Sequence, residues 1–127
     1  MSSLTAGDIV VLFDGTISPP KHKWFLAVYI AEGWFLRLNS RAHWRPNFKL
    51  LRRENECLES DCYIELSTIL EFYEGEIDES LRYPDNHKGR LADKTIRALI
   101  DHLPTVSTLT AEEINIIMRE LQKSLEL

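Results

Sequence analysis

Basic side chains are concentrated between Gly15 and Arg53, and this stretch is where the chain is best equipped for chemistry on an anionic ligand. The lysines and arginines there are Lys21, Lys23, Arg37, Arg41, Arg45, Lys49, Arg52 and Arg53. Glu32 is the one acid among them, so the stretch carries a formal charge of +7, while the totals of 15 basic and 20 acidic residues leave the rest at −12. This asymmetry predicts a focused site for a polyanion, with RNA or DNA first. The alternative is a solvated basic face that neighbouring acids balance.

Aromatic and imidazole side chains in the same stretch add further chemistry. The tryptophans are Trp24, Trp34 and Trp44. The first two lie in apolar runs and are predicted to be core residues. Trp44 stands between His43 and Arg45 in a polar segment, so it is predicted to be exposed and to stack on unpaired bases. His22 stands beside Lys23 and is suited to act as an acid or a base near neutral pH.

Length and composition indicate one folded domain without a cofactor. The chain has 127 residues, of which 44% are hydrophobic, and no apolar run approaches the ~18 residues of a membrane span. Residues 1–5 lack the charged and apolar regions of a signal peptide, which predicts a cytoplasmic protein with no membrane partner. Cys57 and Cys62 are therefore expected to be thiols, and their spacing does not match a zinc site. Phosphate-cradling glycine loops and nucleophile-elbow serines are absent from the sequence, so neither a metal nor a cofactor is expected.

The first half of the chain is predicted to form the strands that position these residues. Predicted strands are Asp8–Phe13, Trp24–Ala31, Trp34–Leu38, Phe48–Arg52 and Cys62–Leu70, with Phe72–Ile77 extending the last or forming another. Residues 16–20 contain two prolines and are predicted to be a loop. Glu32–Gly33 is predicted to be a hairpin turn, and Asn39–Asn47 a basic loop. Alternation in the third strand predicts Trp34, Leu36 and Leu38 on one face and Phe35 and Arg37 on the other.

The second half is predicted to be helical after a loop at Tyr83–Arg90. Apolar residues recur at helical spacing over 91–103, and Pro104 ends that helix. Thr110 and Glu113 form a capping box ahead of an apolar stripe, which predicts a last helix over 110–125. We therefore expect one α+β domain over 1–127, mainly β, with a small SH3-like β-barrel over 1–80 and two C-terminal helices.

Four segments follow one another in an informative order. They are Gly7–Asp14 (GDIVVLFD), Lys21–Val28 (KHKWFLAV), Leu38–Ser40 (LNS) and Gly89–Ile96 (GRLADKTI). With Ser67 in a strand ahead of the last segment, this order resembles the PemK/MazF-like toxins, which are small endoribonucleases of toxin–antitoxin systems. The resemblance extends from Gly7 to Leu103, and Lys23-Trp24 stands where the family has Arg-Pro.

The resemblance implies a PemK-like barrel that cleaves single-stranded RNA without a metal, with a cognate antitoxin and a second copy of the chain as partners. Lys23 would neutralise the phosphate and donate a proton, although a lysine lacks the bidentate fork of arginine. Ser40 would hydrogen-bond the phosphate or the 2′-hydroxyl, and His22 would act as acid or base. RNA would be bound by Lys21, Arg37, Arg41, Trp44 and Arg45. The last helix would aid dimerisation or antitoxin docking.

Other functions remain open at the level of the sequence. The same barrel, catalytically silent, would grip nucleic acid or an acidic protein through Trp44 and its neighbouring arginines. A third alternative is an interaction protein whose basic face meets an acidic protein. The acidic segment Glu54–Asp61 follows Arg53 directly, and it either covers the basic face or only balances its charge.

Overall fold

The computed structural model describes residues 4–126 as an α+β fold, which confirms the predicted class. The strands are β1 Asp8–Asp14, β2 Lys21–Tyr29, β3 Trp34–Asn39, β4 Asn47–Leu50, β5 Cys62–Glu65, β6 Leu70–Glu71 and β7 His87–Arg90. The α-helices are α1 Glu74–Leu81, α2 Asp93–His102 and α3 Ala111–Leu125. None of the helices in this part of the chain is long and apolar enough to cross a membrane.

All strand pairs are antiparallel and belong to one sheet. The order across the sheet is β4-β5-β3-β2-β1-β7, and β6 pairs with β3 outside this path. The longest ladder joins β1 to β2, from Ile9 opposite Leu26 to Asp14 opposite Lys21. Between residues 4 and 126, the outer strands β4 and β7 do not pair with each other. The antiparallel sheet is thus established, and its closure into an SH3-like barrel stays a prediction.

Apolar side chains pack on both faces of the sheet, because successive strand residues alternate between two cores. One core joins the sheet to α2 and α3 and contains Leu26, Leu36, Leu38, Ile96 and Ile117. The other joins the sheet to α1 and contains Leu12, Phe25, Phe35, Phe72 and Ile77. The alternation predicted for the third strand is confirmed, and Arg37 therefore lies on the face of the second core.

Strand β2 begins at Lys21, three residues before the predicted start at Trp24. Its first residues are polar, but their backbone continues the ladder with β1 through Phe13 opposite His22. The predicted strand Phe48–Arg52 is shorter, since β4 ends at Leu50. Because β2 already includes residues 21–23, the side chains of these residues also alternate between the two faces of the sheet.

The segment after β6 is a helix, so the prediction of a strand over Phe72–Ile77 is wrong. The Tyr73 backbone N–H donates to Glu76 Oε1 at 2.9 Å, which caps the first turn of α1. Phe72 and Ile77 are both buried in the second core. This short helix contains few apolar residues and a glycine, so its sequence shows little of the hydrophobic periodicity from which helices are predicted. Packing of Ile77 against the sheet determines its conformation.

The predicted loop Tyr83–Arg90 contains β7, which is a second correction. His87–Arg90 pairs with β1 despite having no apolar side chain. Arg90 secures it, because one guanidinium nitrogen donates to the Ala6 carbonyl and another to Ser124 Oγ at 2.8 Å. A strand made of His, Lys, Gly and Arg lacks the hydrophobic pattern from which strands are predicted.

The strand predicted over Cys62–Leu70 is interrupted after Glu65 and resumes as β6. Within the gap, the Leu66 backbone N–H donates to the Pro46 carbonyl at 2.9 Å. The Leu66 carbonyl accepts the hydroxyl of Thr108 at 2.7 Å. These bonds direct the backbone away from β3 after Glu65. One apolar run therefore supplies two strands, β5 and β6, that pair with different parts of β3.

Both C-terminal helices lie close to their predicted positions. α2 starts at Asp93, because Leu91 still donates its backbone N–H to the Gly7 carbonyl. Thr110 caps α3 as predicted, with reciprocal bonds to Glu113 of 2.8 and 3.1 Å. Within the apolar stripe of α3, Ile114, Ile117 and Leu121 are buried in the core shared with α2, and Met118 and Leu125 are partly buried against it. Dimerisation or antitoxin docking through α3 would therefore use mainly its other side chains.

Candidate active site

A cleft of about 320 Å³ opens at the end of the sheet where β2 begins and β3 ends. On the strand side it is lined by Lys21, His22, Lys23, Trp24, Asn39 and Ser40. The facing wall comes from residues 58–60 and Cys62. Antiparallel pairing thus brings the three residues predicted to be catalytic, Lys23, His22 and Ser40, to one cleft.

Lys23 and His22 are supported from opposite faces of β2, because they are successive strand residues. Lys23 Nζ donates to Asn39 Oδ1 at 3.0 Å on the face of the second core. The His22 ring packs edge-on against its cross-strand partner Phe13, with ring centroids 5.3 Å apart. Both residues line the cleft, and their side chains have separate supports.

A chain of hydrogen bonds holds the side chain of Lys23. Asn39 accepts from Lys23 and donates through Nδ2 to Glu65 Oε1 at 3.0 Å. Glu65 also accepts from Ser67 Oγ at 2.9 Å and from Arg37 at 3.3 Å. Asn39 and Glu65 are buried, so the ammonium is held by a fixed partner.

Arg37 belongs to this internal network, although the sequence predicted that it binds RNA. Its Nε donates to Asp14 Oδ2 at 2.8 Å, and a terminal nitrogen contacts Glu65 Oε1 at 3.3 Å. Another terminal nitrogen donates to Thr16 Oγ1 at 2.9 Å. The side chain is only 11% exposed, because its position on β3 points it to the buried face. Arg37 neutralises two buried carboxylates and does not form part of an open basic surface.

Asp14 is the most deeply buried charge of the network, with no exposed side-chain surface. It accepts the backbone N–H and the hydroxyl of Thr16 at 2.9 and 2.6 Å. Burial raises the pKa of Asp14, but the hydrogen bonds from Thr16 and Arg37 outweigh burial and hold it below its usual 3.8. Asp14 is therefore an anion at neutral pH, and it fixes the guanidinium of Arg37.

The environment of Lys23 makes its proton easier to remove. Burial is the largest effect that lowers the pKa of Lys23 from its usual 10.5, and the positive charges of Arg37 and Lys21 lower it further. Asp14 and Glu65 act in the opposite direction. An ammonium with a lowered pKa is a better proton donor than an ordinary lysine, which is what a general acid requires.

The remaining residues predicted to bind RNA lie in the loop between β3 and β4. Arg41, Trp44 and Arg45 are exposed, and 60% of the Trp44 surface is accessible. The Asn47 amide donates to the Trp44 carbonyl at 3.2 Å and so fixes the end of the loop. Arg45 lines a second cleft, so the structure does not bring it to the first one.

The acidic segment that follows Arg53 reaches the first cleft through Glu59, which lines it. Glu54 is directed elsewhere and pairs with Lys94 at 3.0 Å. Asp61 accepts a backbone N–H of the preceding turn at 2.9 Å. One carboxylate of this segment therefore stands at the cleft, and the others named here are bound outside it.

Phe13 is a residue at this site that sequence reasoning missed. It belongs to the apolar run of β1, yet 48% of its surface is exposed. Its contact with the His22 ring places an accessible aromatic side chain beside a residue that lines the cleft. Alternation along β1 places Phe13 on the same face as the buried Ile9, so the sequence pattern alone did not indicate that Phe13 would be exposed.

The thiols do not supply a nucleophile. Both cysteines are free, and Cys62 lines the cleft. Burial, assisted by Cys57 and Asp61, raises the pKa of Cys62 to about 11, so this thiol is protonated at neutral pH. Within residues 4–126, no group of three or more His, Cys, Asp or Glu side chains could hold a metal ion.

No protein-family model matches the chain, and no curated protein matches it either. The cleft therefore carries the evidence for a function. Its strongest features are the lysine with a lowered pKa, the neighbouring hydroxyl of Ser40 and the imidazole of His22.

Proposed function

We propose that this protein is a metal-independent endoribonuclease of the PemK/MazF-like class, acting on single-stranded RNA as the toxin of a toxin–antitoxin pair. The observation that carries the proposal is the cleft that Lys23, His22 and Ser40 all line. The sheet would be a PemK-like barrel, and the chain would act as a homodimer that a cognate antitoxin inhibits. The proposed location is the cytoplasm, where both the RNA and the antitoxin would be met.

The reaction would use the ribose 2′-hydroxyl as its nucleophile. The 2′-oxygen forms a bond to phosphorus, the bond from phosphorus to the 5′-oxygen breaks, and the products end in a 2′,3′-cyclic phosphate and a 5′-hydroxyl. A base must take the 2′ proton, and an acid must protonate the leaving oxygen. His22 is proposed as the base and Lys23 as the acid that also neutralises the phosphate. Ser40 would donate a hydrogen bond to a phosphate oxygen.

Two features of Lys23 support its role. Burial and nearby cations lower its pKa, which assists proton donation. Its bond to Asn39, at 3.0 Å, limits the positions that the ammonium can take. A single lysine lacks the two-pronged grip of arginine on phosphate, and Lys21 at the same cleft would supply a second positive charge.

The test is to incubate the purified protein with a long single-stranded RNA in EDTA and to map the fragments. We expect discrete products with cyclic-phosphate ends. Lys23→Ala should lower the cleavage rate by roughly 10²- to 10⁴-fold, and Ser40→Ala by roughly 10²-fold. Lys123→Ala, an exposed lysine on α3, is the matched control and should change the rate less than about twofold. Intact RNA, or equal rates for Lys23→Ala and Lys123→Ala, would refute the assignment.

A second candidate, a catalytically silent barrel that binds RNA, is favoured by one specific observation. Lys23 and His22 are held from opposite faces of β2, by Asn39 and by Phe13. If neither side chain leaves its support, acid and base do not act on the same phosphate. Strongly salt-dependent RNA binding without any cleavage would select this candidate.

A further inference from the structure

A second cleft, of about 580 Å³, lies between the β3–β4 loop and the turn that follows α2. Its polar lining residues are Arg45, Asn47, His102, Thr105 and Ser107. No carboxylate stands among the described residues that line it. The cleft therefore offers a cation, an imidazole and hydroxyl groups without a competing negative charge, which is the lining that an anionic group requires.

The two strongest anion-binding groups of this cleft have no internal partner. Arg45 is exposed, and among residues 4–126 its guanidinium makes no ion pair or hydrogen bond. The nitrogens of the His102 ring likewise have no hydrogen-bond partner in the described part of the chain. The ring itself is positioned, because it rests against Phe48 with centroids 5.3 Å apart. A positioned imidazole and an unpaired guanidinium thus line the same cavity.

The β3–β4 loop connects this cleft with the first one. Ser40 lines the first cleft and Arg45 the second, so the loop runs from one to the other. Arg41 and Trp44 are exposed along the way. The side-chain amide of Asn47 donates to the Trp44 carbonyl at 3.2 Å and so holds the loop in place. A ligand that extends along the loop would meet positive charge and an aromatic ring between the two clefts.

We propose that the second cleft binds a phosphodiester group of the RNA strand that occupies the first cleft, with Arg45 as the main contact and His102 as the second. This inference rests on the proposed function and adds a substrate requirement to it. RNA long enough to reach both clefts binds more tightly than RNA that fills only the first. A single-stranded ligand fits best, because its unpaired bases can stack on Trp44 while its phosphates follow the loop.

The test compares binding of two RNA oligonucleotides, of 3 and 12 nucleotides, with every 2′-hydroxyl methylated so that neither can be cleaved. Arg45→Ala should weaken binding of the 12-mer by about fourfold at 0.15 M salt and reduce the slope of log affinity against log salt by about 0.7. His102→Gln alone should weaken binding of the 12-mer by a smaller factor. Neither variant should change binding of the 3-mer. Arg53→Ala removes an exposed arginine that lines neither cleft, and it is the matched control.

The outcomes separate this inference from the proposed function. If the 12-mer binds more tightly than the 3-mer and Arg45→Ala reduces this binding, the result supports a phosphodiester contact in the second cleft. This holds even if unmodified RNA is never cleaved. Equal losses for Arg45→Ala and Arg53→Ala would overturn it, because they indicate only a general effect of net charge. Binding of acidic peptides in preference to the 12-mer would also overturn it. Thermal melting of each variant checks folding, and Arg45→Ala is a surface change that leaves the core intact.

Discussion

Arg37 and Arg45 come from the same basic stretch of the sequence, yet their surroundings are opposite. Arg37 is held between Asp14 and Glu65 on the buried face of β3. Arg45 projects from a loop, and no ion pair reaches it within residues 4–126. The comparison shows that the charge count of the stretch overstates its free positive charge. Arginines inside the ladder serve the fold, and those in the β3–β4 loop are available to a ligand.

The largest expected effect is a loss of stability on replacing Arg37, the arginine on the buried face of β3. Arg37→Met leaves two buried carboxylates without their cation, which should lower the free energy of unfolding by about 3–5 kcal/mol. Arg45→Met makes the same chemical change in the loop and should stay within about 0.5 kcal/mol of the wild type. Urea denaturation of both variants measures the difference. Similar values for the two would contradict the comparison.

A second expected effect is a loss of folding stability in acid, which arises from the buried network of Asp14, Arg37 and Glu65. The pKa of Asp14 is held below 3.8, so its contribution to stability is complete above that pH and is lost as the pH falls through the lowered value. Unfolding free energies measured from pH 6 to pH 2 should therefore fall less steeply for Asp14→Asn than for the wild type.

The control for this prediction is Asp85→Asn, which changes an exposed carboxyl in the turn before β7. Its curve should run parallel to that of the wild type. If the Asp14→Asn curve also ran parallel, the lowered pKa of Asp14 would not contribute to the acid sensitivity of the fold.

The smallest effect concerns Lys21, which lines the first cleft. Its positive charge contributes to lowering the pKa of Lys23. In Lys21→Ala the alkaline limb of the pH profile of kcat should move upward, because Lys23 keeps its proton to higher pH. Lys123→Ala should leave the limb in place. A downward shift in Lys21→Ala would contradict the role of Lys23 as the acid.

Strands with an apolar pattern and helices with caps could be predicted from the sequence. β1, β3 and α3 follow from alternation or from the capping box at Thr110. β7 could not be predicted in this way, because His87–Arg90 has no apolar residue and is held by bonds from Arg90 to distant parts of the chain. α1 was missed because packing in the second core stabilises it more than its own sequence does.

The sequence predicted that the candidate catalytic residues lie close together, but it did not predict the hydrogen bonds and ring contacts that hold them. Lys23, His22 and Ser40 were expected together, and they line one cleft. The late predicted start of β2 hid the alternation that separates His22 from Lys23. The internal role of Arg37 depends on Asp14 and Glu65, which are far apart in the sequence, and such a contact is visible only in three dimensions.

The proposed ribonuclease activity is tested by incubating the protein in EDTA with single-stranded RNA and with single-stranded DNA of the same sequence. We expect RNA fragments that end in a 2′,3′-cyclic phosphate and a 5′-hydroxyl, intact DNA, and the loss of fragments in Lys23→Ala. Intact RNA at stoichiometric protein, or equal cleavage of the DNA, would contradict a site that uses the ribose 2′-hydroxyl as its nucleophile.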